Sequence, residues 1–196
     1  MKKVLLVNGS PHRDGHTKAK LEVMEKVFQE EGLEVVWFQL DGDKPVYGCS
    51  GCYYCRSSET FRCVHDDDQA NELAELMLAA DGIVVGTPTY FAGPNGALCA
   101  LMDRVFSCIC GDDNQMLAGK PATAVAVGWR AGTVSAQDRI NRYFTKSRMP
   151  VATSEYWNDS LLCRSPEDMV RGSGDKYADQ VMTTLAHDMA HMIKVL

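Results

Sequence analysis

Short apolar runs alternate with amphipathic stretches along this chain, and the alternation begins at once. Val4-Leu5-Leu6-Val7 is continuously apolar and is stopped by Gly9 and Pro11, so residues 3–8 read as a buried strand. Residues 17–31 carry Leu21, Met24 and Phe28 at helical spacing, with Gly32 placed to end the helix. Residues 33–40 return to a strand, completing a βαβ unit that should be right-handed. A helix over 69–80 follows, with Leu73, Met77 and Ala80 on its apolar side and Asp67 or Asp68 as its cap. Residues 82–87 form a third apolar strand ended by Pro88. The helix over 95–107 gathers Leu98, Leu101, Met102, Val105 and Phe106 into one stripe. A fourth strand spans 121–128, a helix 134–146 and a fifth strand lies near 150–157. Residues 158–173 read as loop. The last helix, 174–195, shows Tyr177, Val181, Leu185, Met189 and Met192 on one face. Strands alternating with helices predict an α/β fold, a doubly wound five-stranded parallel sheet with helices on both faces.

Composition narrows the picture. The 196 residues suit one domain, 1–196, with a cysteine-rich insert at 45–66. Net charge is -6 and no Lys/Arg cluster stands out, so a nucleic-acid partner has no electrostatic footprint. Met1-Lys2-Lys3 imitates a secretion signal, but the apolar run after it is too short. No run approaches the length of about 18 apolar residues that suggests a membrane span. The expectation is a cytoplasmic protein with no membrane partner.

In a doubly wound sheet, ligands sit beyond the carboxyl ends of the strands. Three loops fall there. The first is Asn8-Gly9-Ser10-Pro11-His12-Arg13-Asp14-Gly15-His16-Thr17, running straight into a helix. Ser10 and Thr17 can donate hydrogen bonds, Arg13 brings charge, and free amides at the helix start favour a phosphate. It is neither a Gly-x-Gly-x-x-Gly fingerprint nor a P-loop, so a monophosphate fits better than a pyrophosphate. The alternative is a plain turn capped by Thr17 or Asp14. The second loop, Gly86-Thr87-Pro88-Thr89-Tyr90-Phe91-Ala92-Gly93-Pro94-Asn95-Gly96, offers two flat aromatic surfaces. The third is Gly128-Trp129-Arg130-Ala131-Gly132-Thr133, whose Arg130 is either an anion partner or a surface charge.

Cysteine usage adds a second candidate site. Cys49-x2-Cys52-x2-Cys55-x7-Cys63 has the close thiolate spacing that Fe–S clusters use. A four-cysteine zinc site and thiols that bind nothing are the alternatives. Cys99, Cys108, Cys110 and Cys163 read as ordinary small apolar residues. His187-Asp188-Met189-Ala190-His191 falls opposite the apolar stripe and reads as solvated, as does Asp66-Asp67-Asp68 at a helix start.

Ser10-Pro11-x3-Gly15-His16-Thr17 resembles the Gly-Ser-Pro-x3-Gly-Asn-Thr loop of the NAD(P)H-dependent FMN reductase and iron–sulfur flavoprotein families, with His16 in place of the usual Asn. Pro88-x-Tyr90-Phe91 followed by Leu101-Met102-Asp103-Arg104 resembles their ring-side segment, and Gly128–Gly132 their pyrimidine-side loop. The resemblance implies a flavodoxin-like sheet of order 2-1-3-4-5. It implies FMN held by Ser10, His12, Arg13, Gly15, His16 and Thr17, by Pro88, Thr89, Tyr90, Phe91, Gly93 and Asn95, and by Gly128, Trp129, Arg130 and Gly132. It also implies NAD(P)H as electron donor, a [4Fe–4S] cluster on Cys49, Cys52, Cys55 and Cys63, and a homodimer or homotetramer. The expected activity is reduction of flavin by NAD(P)H, with electrons passed to the cluster or to a small acceptor such as a quinone. A flavodoxin-like carrier without NAD(P)H activity and a zinc-stabilised binding module are the competing readings.

Overall fold

Parallel pairing of the apolar runs builds the sheet. A computed structural model describes residues 1–58, 60–111, 115–162 and 175–196. Its strands are β1 (Lys3–Asn8), β2 (Glu34–Gln39), β3 (Gly82–Tyr90), β4 (Gly93–Pro94), β5 (Ala122–Gly128) and β6 (Asp159–Leu161). Its helices are α1 (His16–Glu30), α2 (Tyr54–Ser57), α3 (Ala70–Ala79), α4 (Gly96–Ile109), α5 (Thr133–Lys146) and α6 (Lys176–Val195). Among the described residues the main path runs β2-β1-β3-β5-β6, all parallel, with β4 paired antiparallel to β3. This is the expected doubly wound order, with one added two-residue strand.

Alternate residues of β1 feed two cores, as strand geometry requires. Leu5 and Val7 pack with α3, α4 and α5, whereas Val4 and Leu6 pack with α1 and α6. Both faces are covered, so the central strands read as continuous apolar runs rather than alternating ones. Each fully buried Leu or Val contributes roughly 1.5–3 kcal/mol of transfer free energy.

The carboxyl edge departs from the expected strands at two places. β3 extends past the 82–87 run, carrying Pro88, Thr89 and Tyr90 beyond the end of β1, where Asn8 pairs with Gly86. The fifth strand is not at 150–157. Val151 bridges Ala122, residues 153–157 loop out, and the chain rejoins the sheet at β6, inside the segment expected to be loop. Polar bonds explain the detour. Thr123 Oγ1 donates to Ala152 O at 2.9 Å and accepts from Asn158 Nδ2 at 3.1 Å, pinning both ends of the excursion. Tyr156 and Trp157, at the end of the expected strand, are exposed on its outside.

At the other end, Val181, Leu185 and Met189 are buried as expected, but Tyr177 is exposed and meets Tyr156 edge-on at 5.8 Å. His187 and His191 are exposed, and His187 Nδ1 lies 2.9 Å from Glu31 Oε1. Most of the expected loop 158–173, with Cys163, and residue 174 of the last helix lie outside the described residues. Among the described residues no helix is long and apolar enough to cross a membrane.

Two glycines of similar backbone geometry differ in surroundings. Gly119 (φ +82°) faces open space, while a Cβ on Gly132 (φ +87°) would sit 2.8 Å from Ala92 Cα. Gly119→Ala should therefore cost only the left-handed backbone penalty of about 1–2 kcal/mol. Gly132→Ala should cost a further ~1–3 kcal/mol because its neighbour is backbone. Urea midpoints of the two variants check the difference.

Candidate functional site

All three candidate loops emerge from β1, β3 and β5, which are sheet neighbours, so they converge on one edge. In the first loop Asn8 organises the turn. Its Oδ1 accepts from Ser10 N at 3.2 Å, and its Nδ2 donates to Gln39 Oε1 at 2.6 Å. Ser10 is buried, and its Oγ accepts from His12 N at 3.2 Å. Gly9 permits the approach of α4, since a Cβ there would sit 2.4 Å from Leu98 Cδ2 and 2.8 Å from Gly86 O. Gly15 is the α1 N-cap and gives no side-chain cap, so neither Thr17 nor Asp14 performs the plain capping role. Asp14 instead pairs with Lys18 at 3.1 Å. Thr17 is buried with its methyl toward Gly86. His12, Arg13 and His16 are exposed around the rim. The first-turn amides of α1 thus face a basic, hydroxyl-bearing loop, the arrangement that suits a phosphate.

The second loop is a tight hairpin. Thr89 pairs with Pro94 and Tyr90 with Gly93, leaving Phe91 and Ala92 as a two-residue connection. Both have positive φ, 49° and 59°, as a type I′ turn demands. Asn-Gly would adopt this without strain, whereas Phe91 and Ala92 cost on the order of 1–3 kcal/mol each. Phe91 is fully exposed, so no buried apolar contact of its own offsets that strain. The turn is held from below by Gly132, packed against Ala92. Thr87 Oγ1 accepts from Asn95 N at 3.1 Å, and Asn95 Oδ1 caps α4 by accepting from Ala97 N at 2.8 Å and Leu98 N at 3.2 Å. The Asn95 side-chain oxygen is therefore spent on the helix.

In the third loop Trp129 and Arg130 are exposed, Gly128 is buried, and Gly132 begins α5 with no side-chain cap. A Cβ on Gly128 would meet Thr133 Cγ2 at 2.7 Å and Thr89 Oγ1 at 3.4 Å. Thr89 Oγ1 is itself buried without a hydrogen-bond partner. An orphan hydroxyl and two uncapped helix starts on one sheet edge fit a ligand rich in acceptors and carrying a phosphate. FMN has that chemistry.

The cysteine segment forms a second site beside α4. Cys49, Cys52, Cys55 and Cys63 line one pocket of about 30 Å³ and are all free thiols. Arg104 fastens this segment down. With 1% of its side chain exposed, it pairs with Asp68, also 1% exposed, and donates to His65 O at 2.7 Å, Tyr47 O at 3.4 Å and Cys63 Sγ at 3.2 Å. Burial pulls its pKa down, yet the hydrogen bonds to Asp68 and Cys63 outweigh that and raise it. Asp68 also accepts from Ala70 N at 3.0 Å at the start of α3. The reading of Asp68 as solvated is thus corrected: the charge is buried because a guanidinium meets it.

Cys108 is likewise corrected. It lies on the same pocket as the four motif cysteines. Burial, then the Cys55 sulfur, pushes its thiol far above the ordinary range. The Cys52 thiol moves the other way, lowered by a hydrogen bond from the Tyr54 backbone and one from the Ser50 side chain. Among the described residues no three His, Cys, Asp or Glu side chains stand close enough to share one ion. A tetrahedral zinc site needs its thiolates only about 3.8 Å apart, given bonds of about 2.3 Å. A multi-iron cluster spreads its thiolates more widely, and an all-thiol donor set suits it.

The family model described as NADPH-dependent FMN reductase matches residues 2–161. The chain belongs to the NADPH-dependent FMN reductase family. It is 36% identical to an iron–sulfur flavoprotein of Methanocaldococcus jannaschii over 99% of this chain and 98% of that protein. It is 30% identical to an NADPH-dependent FMN reductase of Pseudomonas putida over 51% of this chain and 45% of that one. Among solved structures, a flavodoxin from the domain Archaea superposes with TM-score 0.60 at 17% identity, covering 98% of this chain and 99% of that one. The flavoenzyme NAD(P)H:acceptor oxidoreductase of Paracoccus denitrificans gives 0.64 at 16%, covering 99% and 98%. These two likenesses establish a flavodoxin-like fold, and the family match establishes a flavin oxidoreductase.

Removing one partner of a buried ion pair leaves the other uncompensated, so Asp68→Asn should cost about 3–5 kcal/mol. The exposed Asp66→Asn should cost far less, because solvent screens that charge. Chemical denaturation measures both, and limited proteolysis within residues 44–58 should accelerate only in Asp68→Asn.

Proposed function

We propose that this protein takes electrons from NAD(P)H onto FMN held by the three loops, and passes them to a [4Fe–4S] cluster on Cys49, Cys52, Cys55 and Cys63 or to a small acceptor such as a quinone. The observation that carries the flavin reading is the unpartnered Thr89 hydroxyl between two uncapped helix starts, on the edge where the family-matched loops meet. Ser10, Thr17 and the first amides of α1 bind the phosphate, with Arg13 supplying charge at the rim. Thr89 and the amides of the 88–93 loop orient the ring system, and Tyr90 and Phe91 border it and exclude water. Arg130 and the 128–132 amides place positive potential at the pyrimidine edge, where negative charge develops on reduction. Bound FMN supplies hydride acceptance and onward electron transfer, and the protein supplies position and electrostatics. The four cysteines hold the cluster, which supplies one-electron storage. Exposed Tyr90, Phe91 and Trp129 on this edge support burial by a second copy in a homodimer or homotetramer.

Anaerobically purified protein should be yellow, release FMN on denaturation and contain iron. NADH or NADPH should bleach the flavin within a single turnover. Absence of flavin after reconstitution defeats the reading. Flavin that only a chemical reductant bleaches points to a carrier instead, and zinc without iron points to a zinc-stabilised module. Ser10→Ala removes a hydroxyl from a charged phosphate, a loss of about 1.5–3 kcal/mol, so FMN should bind roughly 10- to 100-fold more weakly by fluorescence titration.

A further inference from the structure

Helix α4 presents a guanidinium and a thiol to the cysteine pocket from consecutive turns. Arg104 and Cys108 stand four residues apart and so share one face. Arg104 Nε donates to Cys63 Sγ at 3.2 Å, and Cys108 lines the same pocket as Cys55. Cys55 and Cys63 are the two partly buried cysteines of the motif, while Cys49 and Cys52 are exposed. Nothing in the four-cysteine spacing requires either donor.

We propose that Arg104 and Cys108 are positioning residues for the iron–sulfur cluster, holding Cys63 by an N–H···S bond and Cys55 by an S–H···S bond and thereby raising the potential at which the cluster accepts an electron. The inference rests on the cluster reading of the preceding subsection. An added electron makes the cluster and its thiolates more negative. Donors beside those sulfurs stabilise the reduced state more than the oxidised one. Both donors are buried, so solvent screens them little. Asp68 neutralises much of the Arg104 charge at longer range, but the fork geometry leaves Nε directed at Cys63. Lysine could not serve Asp68, His65 O, Tyr47 O and Cys63 together, because it lacks the planar fork.

The test is an EPR-monitored potentiometric titration of the anaerobically reconstituted protein. Cys108→Ala removes one small thiol and leaves all four motif cysteines in place. It should keep full iron content, while its reduced-to-oxidised ratio at a fixed potential falls by about tenfold, equivalent to about 59 mV for one electron. Arg104→Lys should shift the ratio in the same direction. Cys110→Ala, a buried cysteine on α4's C-cap that does not line the pocket, should leave it unchanged. Should Arg104→Lys fail to fold, Cys108→Ala decides alone. An unchanged midpoint in Cys108→Ala with full iron overturns the proposal but leaves the cluster reading standing. Loss of iron in Cys108→Ala also overturns it, by making Cys108 a ligand. Wild-type protein that takes up no iron overturns both.

Discussion

A guanidinium and a carboxylate, each with 1% of the side chain exposed, meet at the Arg104–Asp68 pair. Desolvating two charges is costly, so the pair persists only because its remaining hydrogen-bonding capacity is filled. Arg104 fills it with Tyr47 O, His65 O and Cys63 Sγ, and Asp68 with Ala70 N. The consequence is architectural. Among the described residues, 41–67 contain only the four-residue α2 as helix and would otherwise be a long unpaired loop. The pair joins both ends of the cysteine-rich stretch to α4, and α4 lies in the core through Leu98, Leu101 and Met102. Asn71 adds a second tie, accepting from Cys63 N at 2.8 Å and donating to Cys63 O at 3.0 Å. A weakly structured segment thus acquires fixed thiol positions without a core of its own.

The three-loop edge proposed to hold flavin depends on a different constraint, which is backbone proximity. Gly9, Gly128 and Gly132 each stand where a Cβ would strike a neighbouring element. Their absence of side chain lets loops from separate strands close on one another. The same closeness holds the Phe91-Ala92 turn in a conformation that neither residue favours. Strain there is concentrated on the segment that borders the ligand edge, and the aromatic it raises into solvent has no structural partner.

The sheet was largely legible because its evidence is local. Val4–Val7, Ile83–Val85 and Ala122–Val127 are apolar runs whose direction follows from the helices between them. The convergence of the three loops on one edge was legible for the same reason, since each loop directly follows a strand of the sheet. The fifth strand was misplaced because its position depends on hydrogen bonds linking Thr123 to Ala152 and Asn158, about 30 residues away, which no local pattern shows. The partners of the cysteine pocket were hidden by sequence distance: Asp68 and Arg104 are 36 residues apart. One sign was available. Arg104 and Cys108 continue the line of Leu101 on the buried face of α4, and an arginine in an apolar stripe requires a buried counter-charge.

The two sites share α4, and this limits how they can communicate. Asn95 caps the helix at the ring loop, while Arg104 and Cys108 meet the cysteine pocket further along. At 1.5 Å per residue these points lie about 14 and 20 Å from the cap along the axis. Helix packing, rather than loop conformation, therefore sets the separation of flavin edge and thiols. Electrons passing between them would require no domain closure, because neither end of α4 is free to move without opening the core.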